Sequence, residues 1–248
     1  MAGHSKWANR KHRKARQDAK KGNIFSKMAR EITIAAREGG GDPDTNPRLR
    51  LAIDKAKQMS VPNDNIDRAL KRGTGDIEGA SYEEVRYEGY GPQGAAIMVD
   101  VVTDNRNRTA QEIRYVFSKH GGNLGESGCV SWMFTQKGLI VLQGDFDEEE
   151  VFLLAVDQGA EDVQTEEEAL TIITPPEDFE TVRRSLKDSG YSVEVAEITY
   201  LPTTQVQMSG QDAQTLIRLV DALEEQEDVQ NVYGNFEITD DSLLEVES

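Results

Sequence analysis

Residues 139–201 read LIVLQGDFDEEEVFLLAVDQGAEDVQTEEEALTIITPPEDFETVRRSLKDSGYSVEVAEITYL, and in them short apolar runs alternate with stretches of helical period. Leu139–Leu142 predicts a strand, Glu148–Gln158 a helix through Val151, Leu154 and Ala155, and Asp162–Thr165 a short strand. Leu170–Thr174 then predicts a strand, Asp178–Asp188 a helix through Phe179, Val182 and Leu186, and Val193–Leu201 a strand. That order, βαββαβ, is a complete split-βαβ unit.

The flanking segments cannot close a sheet separately. Upstream, Ala95–Thr103 reads as a strand, Thr109–Lys119 as a helix (Ala110, Ile113, Val116, Phe117) and Gly128–Thr135 as a strand. Downstream, Gln205–Met208 reads as a strand, Asp212–Glu225 as a helix (Leu216, Ile217, Val220, Leu223) and Val229–Ile238 as a strand. Joined, the two pieces make a second βαββαβ. The sequence therefore predicts one α/β sandwich with another inserted between its third and fourth strands, reached by short local connections.

Ahead of both lies a helical head. Phe25, Met28, Ala29, Ile32, Ala35 and Ala36 share one helical face, and Gly39-Gly40-Gly41 ends that helix. Asn46-Pro47 supplies an N-cap and a proline at the first helical position for a second helix through Leu49, Ala52, Ile53 and Ala56. Pro62-Asn63 opens a third, with Ile66, Ala69 and Leu70 inward and Gly73 as its stop. Such short amphipathic helices bury their stripes only against each other. The expected fold class is thus α+β and multidomain: a three-helix domain followed by two ferredoxin-like (βαββαβ) α/β domains, one inserted in the other. Its parts are a basic arm and bundle at 1–79, a discontinuous α/β domain at 80–135 plus 203–240, the inserted domain at 136–202 and an acidic tail at 241–248.

Charge is segregated along the chain. The 248 residues carry 28 Lys+Arg against 45 Asp+Glu, a net −17, yet residues 1–72 hold 18 basic and 8 acidic side chains. A basic head on an acidic body points to a polyanionic partner engaged by one end, because at physiological salt the field of the body decays over about 8 Å. No apolar run approaches the roughly 20 residues that span a bilayer. The basic start lacks an apolar region behind it and is not a secretory signal. The single cysteine, Cys129, excludes an internal disulfide and a cysteine-based zinc cluster.

The chain holds few signatures of catalysis. Gly89-Tyr90-Gly91-Pro92-Gln93-Gly94 satisfies G-x-G-x-x-G, but its third glycine leads into the β-type run Ala95–Val102 instead of a helix, so a hairpin turn is the better reading. There is no G-x-S-x-G, Walker A, H-E-x-x-H or C-x-x-C motif. His4, His12 and His120 stand beside no nucleophile in sequence, and Cys129 reads as a small core residue at the start of a strand. The acidic runs Glu148–Glu150 and Glu166–Glu168 fall at element ends, where solvated faces and helix N-termini account for them.

Two basic elements remain. In the first 22 residues Lys6, Arg10, Lys11, Arg13, Lys14, Arg16, Lys20 and Lys21 face only Asp18, and Trp7 and His12 are interleaved with the cations. Lysine and arginine neutralise phosphates, while an indole and an imidazole offer faces to unpaired bases. Asp104-Asn105-Arg106-Asn107-Arg108-Thr109 is the second, at a strand-to-helix junction. Arg106 and Arg108 suit a phosphate backbone there. Equally, Asn107 or Arg108 caps the helix while Asp104 pairs an arginine.

Met1–Asn9, Gly40–Pro43, Asn46–Arg50, Tyr87–Pro92, Asp104–Thr109 and Gly121–Gly125, taken together and in this order, closely resemble the YebC/PmpR family. The resemblance implies three domains, with one α/β domain inserted in another, and no enzymatic activity. It also implies a DNA-binding transcriptional regulator; a mitochondrial relative activates translation, and bacterial members are linked to ribosomes stalled on proline-rich sequences. The expectation is a cytoplasmic, non-enzymatic, nucleic-acid-binding regulator of gene expression with no metal, cofactor, membrane or small-molecule substrate. The alternative is a ribosome-associated translation factor that binds ribosomal RNA or tRNA and relieves such stalling.

Overall fold

The computed structural model describes residues 21–238 except 145, 167 and 168. Three helices come first: α1 (Lys21–Gly39), α2 (Pro47–Gln58) and α3 (Asn63–Thr74). Next come β1 (Glu83–Tyr90), β2 (Ala96–Thr103), α4 (Arg106–Lys119) and β3 (Asn123–Leu124). The series β4 (Phe134–Gln143), α5 (Glu148–Asp157), β5 (Asp162–Glu166), β6 (Ala169–Thr174), α6 (Phe179–Asp188) and β7 (Val193–Pro202) follows. The chain closes with β8 (Val206–Met208), α7 (Gly210–Glu224), β9 (Val229–Gly234) and β10 (Phe236–Ile238). Two compact units result: residues 133–205, and the described residues on either side of them.

In the flanking unit, the three helices bury Met28, Ile32, Ala35 and Ala36 of α1 against Leu49, Ala52 and Ala56 of α2 and Ile66 and Ala69 of α3. One amide sets the turn between the first two. Asn46 accepts from the Leu49 N–H at 3.0 Å, capping α2, and its Nδ2 donates to the Ala35 and Gly40 carbonyls at 2.8 Å each, closing α1. Gly73 does not stop α3 as expected. The helix runs on to Thr74, and Gly75 ends it in the left-handed conformation at φ 84°. Gly73 serves contact instead: a Cβ there would lie 2.4 Å from the Thr33 carbonyl oxygen and 2.6 Å from the Ala36 Cβ. The glycine lets α3 approach α1.

The α/β part of this unit has the sheet order β3-β1-β2-β9, with β8 and β10 paired in parallel beside it. The G-x-G-x-x-G stretch is the expected hairpin, pairing Tyr90 with Ala96 and running antiparallel to Glu83↔Thr103. Its first strand, β1, changes the element order from the expected βαββαβ to ββαβ before the insertion and βαββ after it. Ile97, Val99 and Val101 of β2 pack with Ile113, Val116 and Phe117 of α4 and Leu216, Leu219 and Leu223 of α7. The expected single strand Val229–Ile238 is cut at Asn235, whose Oδ1 accepts from the Ala96 N–H at 2.7 Å. Side-chain capture of that strand-edge group ends the β9 ladder.

The other unit is the βαββαβ series. Its sheet order is β5-β6-β4-β7 with every neighbouring pair antiparallel, the ferredoxin-like arrangement. Ile140 lies opposite Ile172 and Leu142 opposite Leu170, all buried, as are Val151 and Ala155 of α5 and Phe179, Val182 and Leu186 of α6. The Asp147 carboxylate caps α5 by accepting from the Glu150 N–H at 3.0 Å. Here the periodicity alone specifies the architecture.

Gly73→Ala should destabilise the flanking unit by about 1–3 kcal/mol, the usual cost of overpacking a close contact. Chemical denaturation followed by circular dichroism measures it; an unchanged midpoint would show that α1 and α3 need no such approach.

Candidate nucleic-acid interface

Of the residues expected to hold nucleic acid, Lys6, Trp7, Arg10, Lys11, His12, Arg13, Lys14, Arg16 and Lys20 lie outside the described residues. Lys21 opens α1, and its side chain also lies outside the description. Arg106 and Arg108 are both exposed in the first turn of α4, yet they have different surroundings. Asn105 is the N-cap, accepting from the Arg108 N–H at 3.1 Å. Arg108 turns back on carboxylates: Asp104 and Asp228 each accept at 3.0 Å, and Glu112 lies 4.0 Å from Nε. Arg106 makes no such ring. Its carbonyl accepts from the Tyr87 hydroxyl at 3.2 Å.

Asp228 is the centre of this region. It is 3% exposed, and its Oδ2 accepts from Thr103 at 3.0 Å and from Thr109 at 2.5 Å as well as from Arg108. Its Oδ1 pairs with Arg30 of α1 at 2.9 Å. Burial opposes ionisation of Asp228, but the donors Thr109, Arg108 and Thr103 and the charge of Arg30 outweigh it and hold the carboxyl below the usual aspartate pKa. Arg30 also donates to the Glu227 carbonyl at 2.6 Å and stacks 5.5 Å from the Tyr82 ring centre. One turn earlier, Lys27 Nζ donates to the Glu224 carbonyl at 2.5 Å and Asn23 to the Glu225 carbonyl at 3.1 Å. These α1 groups meet the carbonyl end of α7, where the helix dipole favours cations. Burial nevertheless lowers the Lys27 pKa to about 8 against the raising effect of Glu224. Cations of the helical head are thus used to hold it on the α/β domain. The sequence gives no sign of this, since the partners stand at opposite ends of the chain.

A second buried carboxylate shapes the loop after β3. Glu88, 4% exposed, accepts from the backbone N–H groups of Gly128 and Val130 at 2.8 Å and of Ser131 at 2.7 Å. Burial raises its pKa, and those three bonds more than reverse the shift, leaving it below the ordinary value. Donors committed to Glu88 cannot join a ladder. The strand expected from Gly128 accordingly begins only at Phe134, after a 3₁₀ turn at Ser131–Met133. Cys129 sits half-buried in this loop instead of a strand, and burial pushes its thiol pKa up. Its carbonyl accepts from Tyr90 Oη and Trp132 Nε1, each at 3.0 Å, fixing an indole that stays 73% exposed. Among the described residues no group of three or more His, Cys, Asp or Glu is arranged to hold a metal ion. No described helix is long and apolar enough to cross a membrane.

Three helices leading into an α/β domain that carries a second, ferredoxin-like one define a multidomain architecture, and comparison with known proteins gives its kind. Residues 5–76 match the family model described as the TACO1/YebC protein N-terminal domain, and residues 82–236 the one described as the TACO1/YebC second and third domain. The chain belongs to the TACO1/YebC family. A relative from Halothermothrix orenii, named "Probable transcriptional regulatory protein", is 55% identical over 250 residues, covering 99% of each chain. One from Persephonella marina with the same name is 55% identical, covering 99% of this chain and 100% of its own. A crystal structure of a conserved hypothetical protein from Aquifex aeolicus aligns with a TM-score of 0.81 at 51% identity, covering 90% of this chain and 93% of that one.

Asp228→Asn should cost about 3 kcal/mol at neutral pH, since it removes the buried carboxylate of the pair and leaves the Arg30 guanidinium with only the more exposed Glu227 carboxylate at 2.7 Å. The pH dependence follows from the lowered carboxyl: its stabilisation is complete above the unfolded pKa of about 4 and is lost as pH falls through the folded value. Denaturation midpoints at pH 7 and pH 3 should therefore differ less in the variant than in the parent. An equal difference in both proteins would assign acid sensitivity to other groups.

Proposed function

We propose that this protein is a non-enzymatic regulator of gene expression that acts in the cytoplasm by binding nucleic acid, as a DNA-binding transcriptional regulator. The carrying observation is the segregation of charge: eight lysines and arginines against one aspartate in residues 1–22 of a chain whose net charge is −17. Lys6, Arg10, Lys11, Arg13, Lys14, Arg16, Lys20 and Lys21 supply phosphate contacts, and Arg106 adds one from the α/β domain. Arg108 enters this reading with less freedom, because its guanidinium already serves Asp228. The names of the relatives from Halothermothrix orenii and Persephonella marina support regulation of transcription.

A second reading has its own observation. Trp7 and His12 lie between the cations, and aromatic faces suit unpaired bases better than a duplex groove. On that basis the target is ribosomal RNA or tRNA, and the protein acts on translation.

Binding to random duplexes, candidate promoter duplexes and structured RNA over a salt series separates the two. A DNA regulator should prefer its own duplexes by about 10³-fold or more. Equal, steeply salt-dependent binding to every duplex, with co-sedimentation on ribosomes, would favour translation. In either case the triple variant Lys11→Ala, Arg13→Ala, Lys14→Ala should weaken binding and reduce the salt slope by about 0.7–0.9 per lost phosphate contact. Trp7→Ala should weaken looped targets by about 1–3 kcal/mol and spare regular duplex. Unchanged affinity and slope in the triple variant would move the site away from the amino end.

A further inference from the structure

The outer face of α4 is built unlike the domain around it. Asn107, Gln111, Arg114, Tyr115, Ser118 and Lys119 recur at helical spacing and are all exposed, while Thr109, Ile113, Val116 and Phe117 are buried on the opposite side. None of the six is acidic, although residues 80–132 and 206–238 together hold 14 Asp+Glu and only 6 Lys+Arg. Four of those six cations belong to α4. The nearby carboxylates Asp104, Glu112 and Asp228 pair with Arg108, at 3.0, 4.0 and 3.0 Å, and not with the cations of the stripe. Among the described residues, neither Arg114 nor Lys119 pairs with a carboxylate. Tyr115 is 64% exposed, with Lys119 Nζ 5.8 Å from its ring centre.

Neither folding nor packing accounts for a large aromatic ring held in solvent between two unpaired cations. The combination matches a nucleic-acid strand with an unpaired base. Arginine and lysine take phosphates, a tyrosine ring stacks on a base, and the amides of Asn107 and Gln111 offer donors and acceptors to sugar and base edges. Arg106 extends the positive charge to the start of the helix, whose dipole adds to it. We propose that this face of α4 is a second nucleic-acid contact, specific for an unpaired segment and separate from the basic amino end. It rests on the reading that the protein binds nucleic acid and adds the kind of strand it selects. A protein ligand is disfavoured by the stripe itself, which presents no aliphatic anchor.

The test uses full-length protein and fluorescence anisotropy. The probes are a labelled RNA hairpin with a single-stranded loop, the same hairpin in DNA, and a blunt duplex of each. Tyr115→Ala should lower loop affinity about 5- to 100-fold and leave duplex affinity unchanged, whereas Tyr115→Phe should keep most of the loop affinity. The pair Arg114→Ala and Lys119→Ala should reduce the salt slope on the loop by about 1.4, at roughly 0.7 per single-strand phosphate contact. All three side chains are exposed, so thermal midpoints should not move, and a shifted midpoint would identify a structural role that overturns the proposal. Loop binding equal to the parent in Tyr115→Ala, while the Lys11, Arg13, Lys14 variant still loses affinity, would remove α4 and leave the nucleic-acid reading standing. Failure of the parent to bind any probe would end both. Comparison of the RNA and DNA loops shows whether the 2′-hydroxyl is part of what this face selects.

Discussion

A buried carboxylate has to be surrounded by donors or it will not stay charged, and Asp228 meets that requirement by drawing on three elements that are each far from it in the chain. Arg30 reaches it from α1, Thr103 from the end of β2, and Arg108 and Thr109 from the start of α4. The two hydroxyls are coupled as well, at 2.8 Å from each other, and Thr103 Oγ1 accepts from the Asn105 N–H at 2.9 Å. The N-cap of α4, the last residue of the central strand and the first helix are therefore all positioned against one charge. Desolvating Asp228 alone would be prohibitive, so the helical head and the α/β domain are secured in one geometry or not at all. Lys27 and Asn23 strengthen the same joint through the carbonyls at the end of α7.

That joint explains why two arginines separated by one residue have different uses. The first turn of a helix sends side chains at successive positions to different sides, and Arg108 lies on the side facing Asp228 while Arg106 does not. As a consequence the helix offsets part of the negative charge in its own neighbourhood. Three carboxylates that would repel a phosphate chain are gathered by Arg108, and the remaining surface of α4 is left polar and cationic. A structural ion pair here sets the electrostatic character of the adjacent surface.

Legibility in the sequence tracked the range of the determining contacts. The 133–205 unit is governed by local period and short turns, and its helices and strands stand within a residue or two of their expected limits, apart from the early start of β4. Asn46 announced itself because capping is a local act. Gly73 did not, since glycine as a helix stop and glycine as a close-contact residue look alike until the Thr33 carbonyl is known to face it. The segment Gly128–Val130 has β composition but no ladder, because Glu88, forty residues earlier, claims its donors. The Val229–Ile238 strand divides for the same kind of reason, at an asparagine bound to Ala96. For the site, Arg106 and Arg108 were visible as cations at a helix start, but only the distant Asp228 distinguishes them. The stripe of Arg114, Tyr115 and Lys119 is present in the periodicity of α4, but in sequence an exposed polar helix face is indistinguishable from an ordinary solvated one.

Charge distribution limits how a polyanion could approach. Residues 133–205 hold 17 Asp+Glu against 4 Lys+Arg, so a sugar-phosphate chain is repelled from that unit within the few ångströms over which screening permits any field. In the described helical head, Arg30 and Lys27 are spent on the joint with the α/β domain, and Arg48 is held by Glu38 and Glu84. Lys57, Arg68 and Lys71 of that head remain exposed, and the α/β domain has exposed cations of its own. In the α/β domain they concentrate on α4, where Arg108 has already gathered the competing carboxylates. The acidic 133–205 unit disfavours non-specific wrapping of nucleic acid and leaves contact to the uncompensated cations elsewhere. Acidic excess in this protein is then consistent with the proposed binding of a polyanion, because it would restrict such a contact to the places where cations stand free of carboxylates.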